Sequence, residues 1–250
     1  GKWTAKNIPA WLSLSKTSGS GSESGSTETV SVTSTKNLTE SDREGTIQIV
    51  SDDNANHIKE VQVHQDKFDF RIDNTAFVYT TPLDVTAKTL GVICPAAWTI
   101  ASNEPWVSTS VSGGEGNGNI IITPQQNLTT SDRSATLTVT STLNSLTRTL
   151  TLSQPKFIFE VDKSAHTFDY PIAADNTALA VSVSCSAGWT VSKDSDWINL
   201  SSTSGTGNAS FSITPGTNPN TSSRQGKVTI TSSMNGLTKE IAISQKPFVF

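Results

Sequence analysis

The stretches LTVT (137–140) and TLTL (149–152) alternate apolar and polar positions without a break. A period of two belongs to a strand with one buried and one wet face. Threonine suits the wet side, because its branched side chain packs well on a pleated surface. Further short β-rich runs surround them: DVTAKTLGVIC, WTIA, WVSTSV and GNIIITP. Turn-forming clusters, SNEP, SGGEGNGN, QQNLTTSD and TLNS, separate the runs. No stretch keeps a helical period over ten residues. The pattern predicts an all-β fold, an antiparallel two-sheet sandwich of about seven or eight strands, immunoglobulin-like in size.

The pattern is written three times. All six tryptophans fall into pairs eight residues apart: Trp3/Trp11, Trp98/Trp106 and Trp189/Trp197. An arginine follows each pair (Arg43, Arg133, Arg224) and a glutamine closes each copy (Gln65, Gln154, Gln245). The arginine steps are 90 and 91 residues, too long for a solenoid repeat and right for a whole sandwich domain. The expected modules are residues 1–66, 67–155 and 156–250. Their linkers, Asp66-Lys67 and Pro155-Lys156, are short enough to predict stiff connections. The second and third modules open with KFDFRID and KFIFEVD, then carry aromatic pairs, Phe77/Tyr79 and Phe168/Tyr170, expected to line the core. The first module has only Gly1 and Lys2 before its first tryptophan, so about three strands are expected to be missing. A C-terminal stub, KPFVF, resembles the start of another module. An excerpt from a longer array accounts for both ends; strands supplied by another chain are the alternative for the first module.

Composition narrows the function classes. Charged residues make up 16% of the chain and the net charge is −4, with no basic stripe, so neither nucleic acid nor an anionic membrane is an expected partner. No apolar run approaches the ~20 residues that span a bilayer, so membrane insertion is not expected. The chain shows no signal peptide, and export implies a signal outside these residues. Cys94 and Cys185 occupy one position in two copies, and neither has a Cys or His at ligand spacing. They read as small buried hydrophobes. No metal and no cofactor are expected. His57, His64 and His166 sit at unrelated positions without a nucleophile–base context, and acids such as Asp52/Asp53 and Asp194/Asp196 lie in turns. No enzyme is expected from these residues.

The combined signature is W-x7-W, a glycine near eight residues on, N-x5-R, and a strand pair ending in Ser-Gln or His-Gln. It is carried by Trp3, Trp11, Gly19, Asn37, Arg43 and Gln65 in the first module. In the second it is Trp98, Trp106, Gly113, Asn127, Arg133 and Gln154, and in the third Trp189, Trp197, Gly205, Asn218, Arg224 and Gln245. This signature resembles the BACON family, Bacteroidetes-associated modules often found near the N-termini of carbohydrate-active enzymes. The resemblance implies an immunoglobulin-like sandwich on an exported protein at the surface of a Bacteroidetes bacterium. It also implies an association with carbohydrate, with mucin glycans among the candidates and further domains of a longer parent chain as neighbours.

Two readings of the signature follow. A pyranose stacks on an aromatic face, so Trp3, Trp11, Trp98, Trp106, Trp189 and Trp197 are candidate ligand contacts, joined by Arg133 and Arg224 for acidic groups. A feature repeated in every copy is also the one each copy needs to fold, which makes the tryptophans core and the arginines loop clamps. The glycine-rich loops SGSGSESGS, SGGEGNGN and SGTGN lack the helix and lysine of a phosphate cradle and read as strand connectors. Asn37-Leu38-Thr39 and Asn127-Leu128-Thr129 match a glycosylation sequon but read as turn chemistry. The expected function is a non-catalytic array that binds carbohydrate. The alternative is a stiff spacer that presents another domain away from the cell.

Overall fold

A computed structural model describes residues 1–21, 27–169 and 178–247. Among these residues the regular structure is strand alone, in six sheets that form three two-sheet units. In the second sandwich one sheet runs Gly113–Glu115, Ala97–Ser102, Arg133–Ser141, Thr147–Gln154, Ala76–Val78. The facing sheet runs Val107–Thr109, Gly118–Pro124, Lys88–Ile93, Arg71–Ile72. The third sandwich repeats this with sheets of five and four strands. The alternation works as the sequence predicts: Ala135, Leu137 and Val139 are buried, while Thr136, Thr138 and Thr140 on the same strand face outward.

Three details differ from the sequence reading. Two of the units have nine strands each, because short two- to four-residue strands add to the expected set. Not every neighbour is antiparallel: Ala76–Val78 runs parallel to Thr147–Gln154, and Ala165–Phe168 parallel to Thr238–Gln245. The chain switches sheets between Ile72 and Ala76, and that switch sets the direction. Finally, the aromatic pairs do not superpose as their spacing suggests. Phe77 lies opposite Leu152, and His166 opposite the equivalent Ile243, so Phe168 corresponds to Tyr79. Two residues inserted later in the third copy restore the 91-residue step further on. Phe77, Tyr79 and Phe168 are buried; Tyr170 lies outside the described residues.

The first sandwich has sheets of four and two strands. Its inward positions Val32 and Val61 are 46% and 45% exposed, where the equivalent Ile122 and Leu150 are fully buried. Those equivalents are covered by Lys88–Ile93 and Ala76–Val78, for which the first sandwich has no described counterpart. Among the described residues, no helix is long and apolar enough to cross a membrane.

Candidate functional site

The signature residues converge on two clusters in each sandwich. The first tryptophan lies under the glycine-rich loop. Trp98 pairs with Gly114 across the sheet, Trp189 with Gly205 and Trp3 with Gly19. A Cβ on Gly114 would stand 2.6 Å from Trp98 Cζ2, and one on Gly205 2.2 Å from Trp189 Cζ2. The glycine is therefore required by the indole beneath it. This corrects the motif position in the second copy: the equivalent residue is Gly114, not Gly113. The Trp98 and Trp189 Nε1–H groups donate to the carbonyls of Gly116 (2.8 Å) and Gly207 (3.1 Å). Both glycines hold positive φ, 69° and 63°, so the tight turns that accept these bonds need glycine. In the first sandwich Trp3 donates instead to Glu28 Oε2 at 3.2 Å.

The second tryptophan is roofed by the arginine. The guanidinium carbons of Arg43, Arg133 and Arg224 lie 4.5, 4.2 and 4.4 Å from the ring centroids of Trp11, Trp106 and Trp197. Each arginine Nε donates to the closing glutamine, at 2.9 Å (Gln65), 3.0 Å (Gln154) and 2.8 Å (Gln245). A terminal nitrogen donates to a loop carbonyl: Thr35, Gln125 (2.6 Å) and Gly216 (2.5 Å). Burial pulls the Arg133 guanidinium below its usual range, against the opposing field of Glu104, and burial does the same to Arg224. Both stay charged, because arginine starts far above neutrality. Trp98, Trp106 and Trp189 are buried, and Trp3, Trp11 and Trp197 are half-buried. The structure thus places the six tryptophans and three arginines in two packed clusters per sandwich, with the arginine on the face of the second indole.

The asparagines build the junctions. Asn37 and Asn127 are buried, and each Nδ2 donates both within its own loop and across the linker, to Asp66 O (3.1 Å) and Pro155 O (2.9 Å). A buried Asn127 amide leaves no room for a sequon glycan. Beside it, Asp42 and Asp132 accept the N–H of Lys67 (2.7 Å) and Lys156 (2.8 Å). Phe68 N and Phe157 N donate to Thr39 O (2.7 Å) and Thr129 O (2.8 Å). From the next sandwich, Asn144 donates to Leu38 O and Asn235 to Leu128 O, each at 3.0 Å. Leu83 and Leu128 of the second sandwich pack against the core of the third. The sequence reading missed Asn144, Asn235 and Leu83. The first two occupy the same position in TLNS and SMNG, a signal that was available.

Other groups come together without a built site. Asp42, His64 and Asp66 offer ligand atoms within 4.8 Å of one another, but all three are exposed and Asp42 already caps Lys67 N–H. Cys94 and Cys185 are buried and unpaired.

Comparison with known proteins completes the picture. The family model described as "BACON: Putative binding domain, N-terminal" matches residues 1–66, 96–155 and 187–246. No curated protein sequence matches the chain. Among solved structures, a Bacteroides ovatus GH5 xyloglucanase in complex with a XXXG heptasaccharide shares 22% identity over 43% of this chain and 23% of that chain, with a TM-score of 0.31. An endo-fucoidan hydrolase, MfFcnA4 of glycoside hydrolase family 107, shares 13% identity over 99% of this chain and 39% of its own, with a TM-score of 0.32. The cadherin-like domains 1 to 4 of zebrafish RET share 11% identity over 83% and 57% of the two chains, with a TM-score of 0.33. Scores this low carry nothing about function. The family matches cover well over half of the chain and each ends one residue beyond the closing glutamine, so the chain belongs to the BACON family and carries its domain three times.

Proposed function

We propose that the chain is a non-catalytic array of stiffly joined modules, 1–66, 67–155 and 156–250, displayed outside a Bacteroidetes-type cell. It holds neighbouring domains of a longer surface protein at a set distance. One observation carries this reading: the two junctions are built alike, with the linker carbonyl, the linker amides and the next sandwich's asparagine all bonded to one loop. A flexible tether would leave such groups to water. The clusters around the tryptophans support it as well, since each signature side chain already has a partner inside the protein. On this reading Arg133 and Arg224 clamp loops and do not meet ligand.

A second reading, glycan contact by one or more modules, is favoured by the family's description as a binding domain. Mucin glycans are one source of such ligands. The two readings are compatible, because a rod can carry a weak binding site on one face.

Small-angle X-ray scattering on the whole chain tests the rod. The expected profile fits a single extended shape. A six-residue Gly-Ser insertion between Gln154 and Pro155 should broaden the distribution of particle dimensions. A profile for the unmodified chain that already requires a broad ensemble of bends would refute the rod.

A further inference from the structure

What all three sandwiches share is accounted for by folding, so a binding site is best sought where they differ. On the outward face of its four-stranded sheet, the second sandwich has a groove of about 390 Å³. That lies within the ~300–1,000 Å³ range of ligand clefts. Two rows of side chains cross it. One row reads Asp73, Gly91, Asn119 and the next Arg71, Ile93, Asn117. Glycine and isoleucine form the floor; a carboxylate, a guanidinium and two amides form the walls. Ile121, 51% exposed, continues the same face beyond Asn119.

The third sandwich shows which parts the fold needs. There the rows read Asp162, Ser182, Ser210 and Glu160, Ser184, Asn208. The aspartate is structural in both: Gly91 N and Ser182 N each donate to its Oδ1 at 2.9 Å. So is the asparagine, which accepts from Cys94 N (3.1 Å) and Cys185 N (3.2 Å). Arg71, Gly91, Ile93 and Asn119 are not required by the fold, because the third sandwich replaces each of them. The replacements also close the site. Lys163 takes Asp162 Oδ2 at 3.0 Å, whereas Asp73 Oδ2 receives no hydrogen bond from the described residues. That oxygen stands over the glycine floor, 2.7 Å from where a Gly91 Cβ would be.

We propose that this groove of the second sandwich binds a neutral hexose unit of a glycan chain. The C–H face of a pyranose would lie on Ile93, beside the Asp73 carboxylate that stands over Gly91. Its hydroxyls would donate to Asp73 Oδ2, accept from the Arg71 guanidinium and bond the amides of Asn117 and Asn119. Charge selects neutral over acidic sugars. Arg71 is already paired with Asp69 (3.1 Å), so the free carboxylate of Asp73 leaves the groove negative and repels a sialyl or sulfated unit. The inference rests on the glycan-contact reading and is independent of the rod.

Saturation-transfer NMR on the whole chain tests it, with cellotetraose, mannotetraose and N-acetyllactosamine as neutral probes and sialyllactose as the acidic one. At least one neutral sugar is expected to show transfer, and sialyllactose none. The triple variant Arg71→Glu, Gly91→Ser, Asn119→Ser introduces three of the third sandwich's four replacements and should lose at least tenfold in affinity while still unfolding cooperatively. Undiminished binding by that variant overturns the groove but leaves glycan contact standing. Silence from every neutral probe overturns both, and a preference for sialyllactose overturns the groove's assignment.

Discussion

Trp106 serves two neighbours at once, as a packing surface for the core and as the plate on which Arg133 lies. Truncation to alanine removes both. Trp106→Ala should cost about 3–5 kcal/mol in urea denaturation of the second sandwich. A variant that stays equally stable would mean that the indole is not part of the core. Arg133→Ala should cost about 2–3 kcal/mol, because Gln154 Oε1 is buried and loses its charged donor. Arg133→Lys should recover less than half, since an ammonium cannot bond glutamine and the Gln125 carbonyl while lying flat on a ring. At this scale the sequence showed which residues belong together through their triple recurrence. It did not show that Arg133 faces Trp106, because a spacing of 27 residues carries no direction in space.

Strands and loops hold one another through few bonds, so single changes should act across element boundaries. Leu128 belongs to a loop of the second sandwich but packs on the core of the third. Leu128→Ala should lower the stability of the third sandwich by about 1–3 kcal/mol, visible as faster hydrogen exchange at Ile213 and Ile230. A loss confined to the second sandwich would contradict the packing. Acid should loosen the turns. Asp194 accepts the backbone N–H of Lys227 at 2.7 Å, and that bond, aided by Ser195, holds its carboxyl below the usual range. Asp84 is also held down, by the Thr86 hydroxyl first and the Thr86 N–H second. A depressed carboxylate stabilises the fold above its unfolded pKa, and that stability is lost as pH falls through the folded value. The unfolding midpoint should therefore drop below about pH 4, and Asp194→Asn should flatten that acid limb. The strands themselves were legible from their period of two. The parallel pairing of Ala76–Val78 was not, since periodicity reports faces and not direction.

Across the whole molecule, the same junction appears twice with different residues around it. The first junction adds an ion pair between Arg148 and Glu40; the second adds Leu83 and Leu128 in the neighbouring core. Their shared bonds are backbone, asparagine and aspartate contacts within one loop and its linker, which depend little on side-chain identity elsewhere. This is how an array can keep its geometry while the outer faces diverge, as the groove around Gly91 does between the second and third sandwiches. The two-residue linkers lead to the expectation of stiffness, but the loop they dock on lies far back in sequence.

The sequence by itself determined the strand content, the three copies and the family, because each is a matter of local period or of recurrence along the chain. Only the tertiary structure decided which face each tryptophan offers, which glycine lies over it, and where the copies differ in a way that leaves a groove. Those are relations between residues tens of positions apart. They are set by sheet register and by the meeting of two sheets, and neither is written in the order of the residues alone.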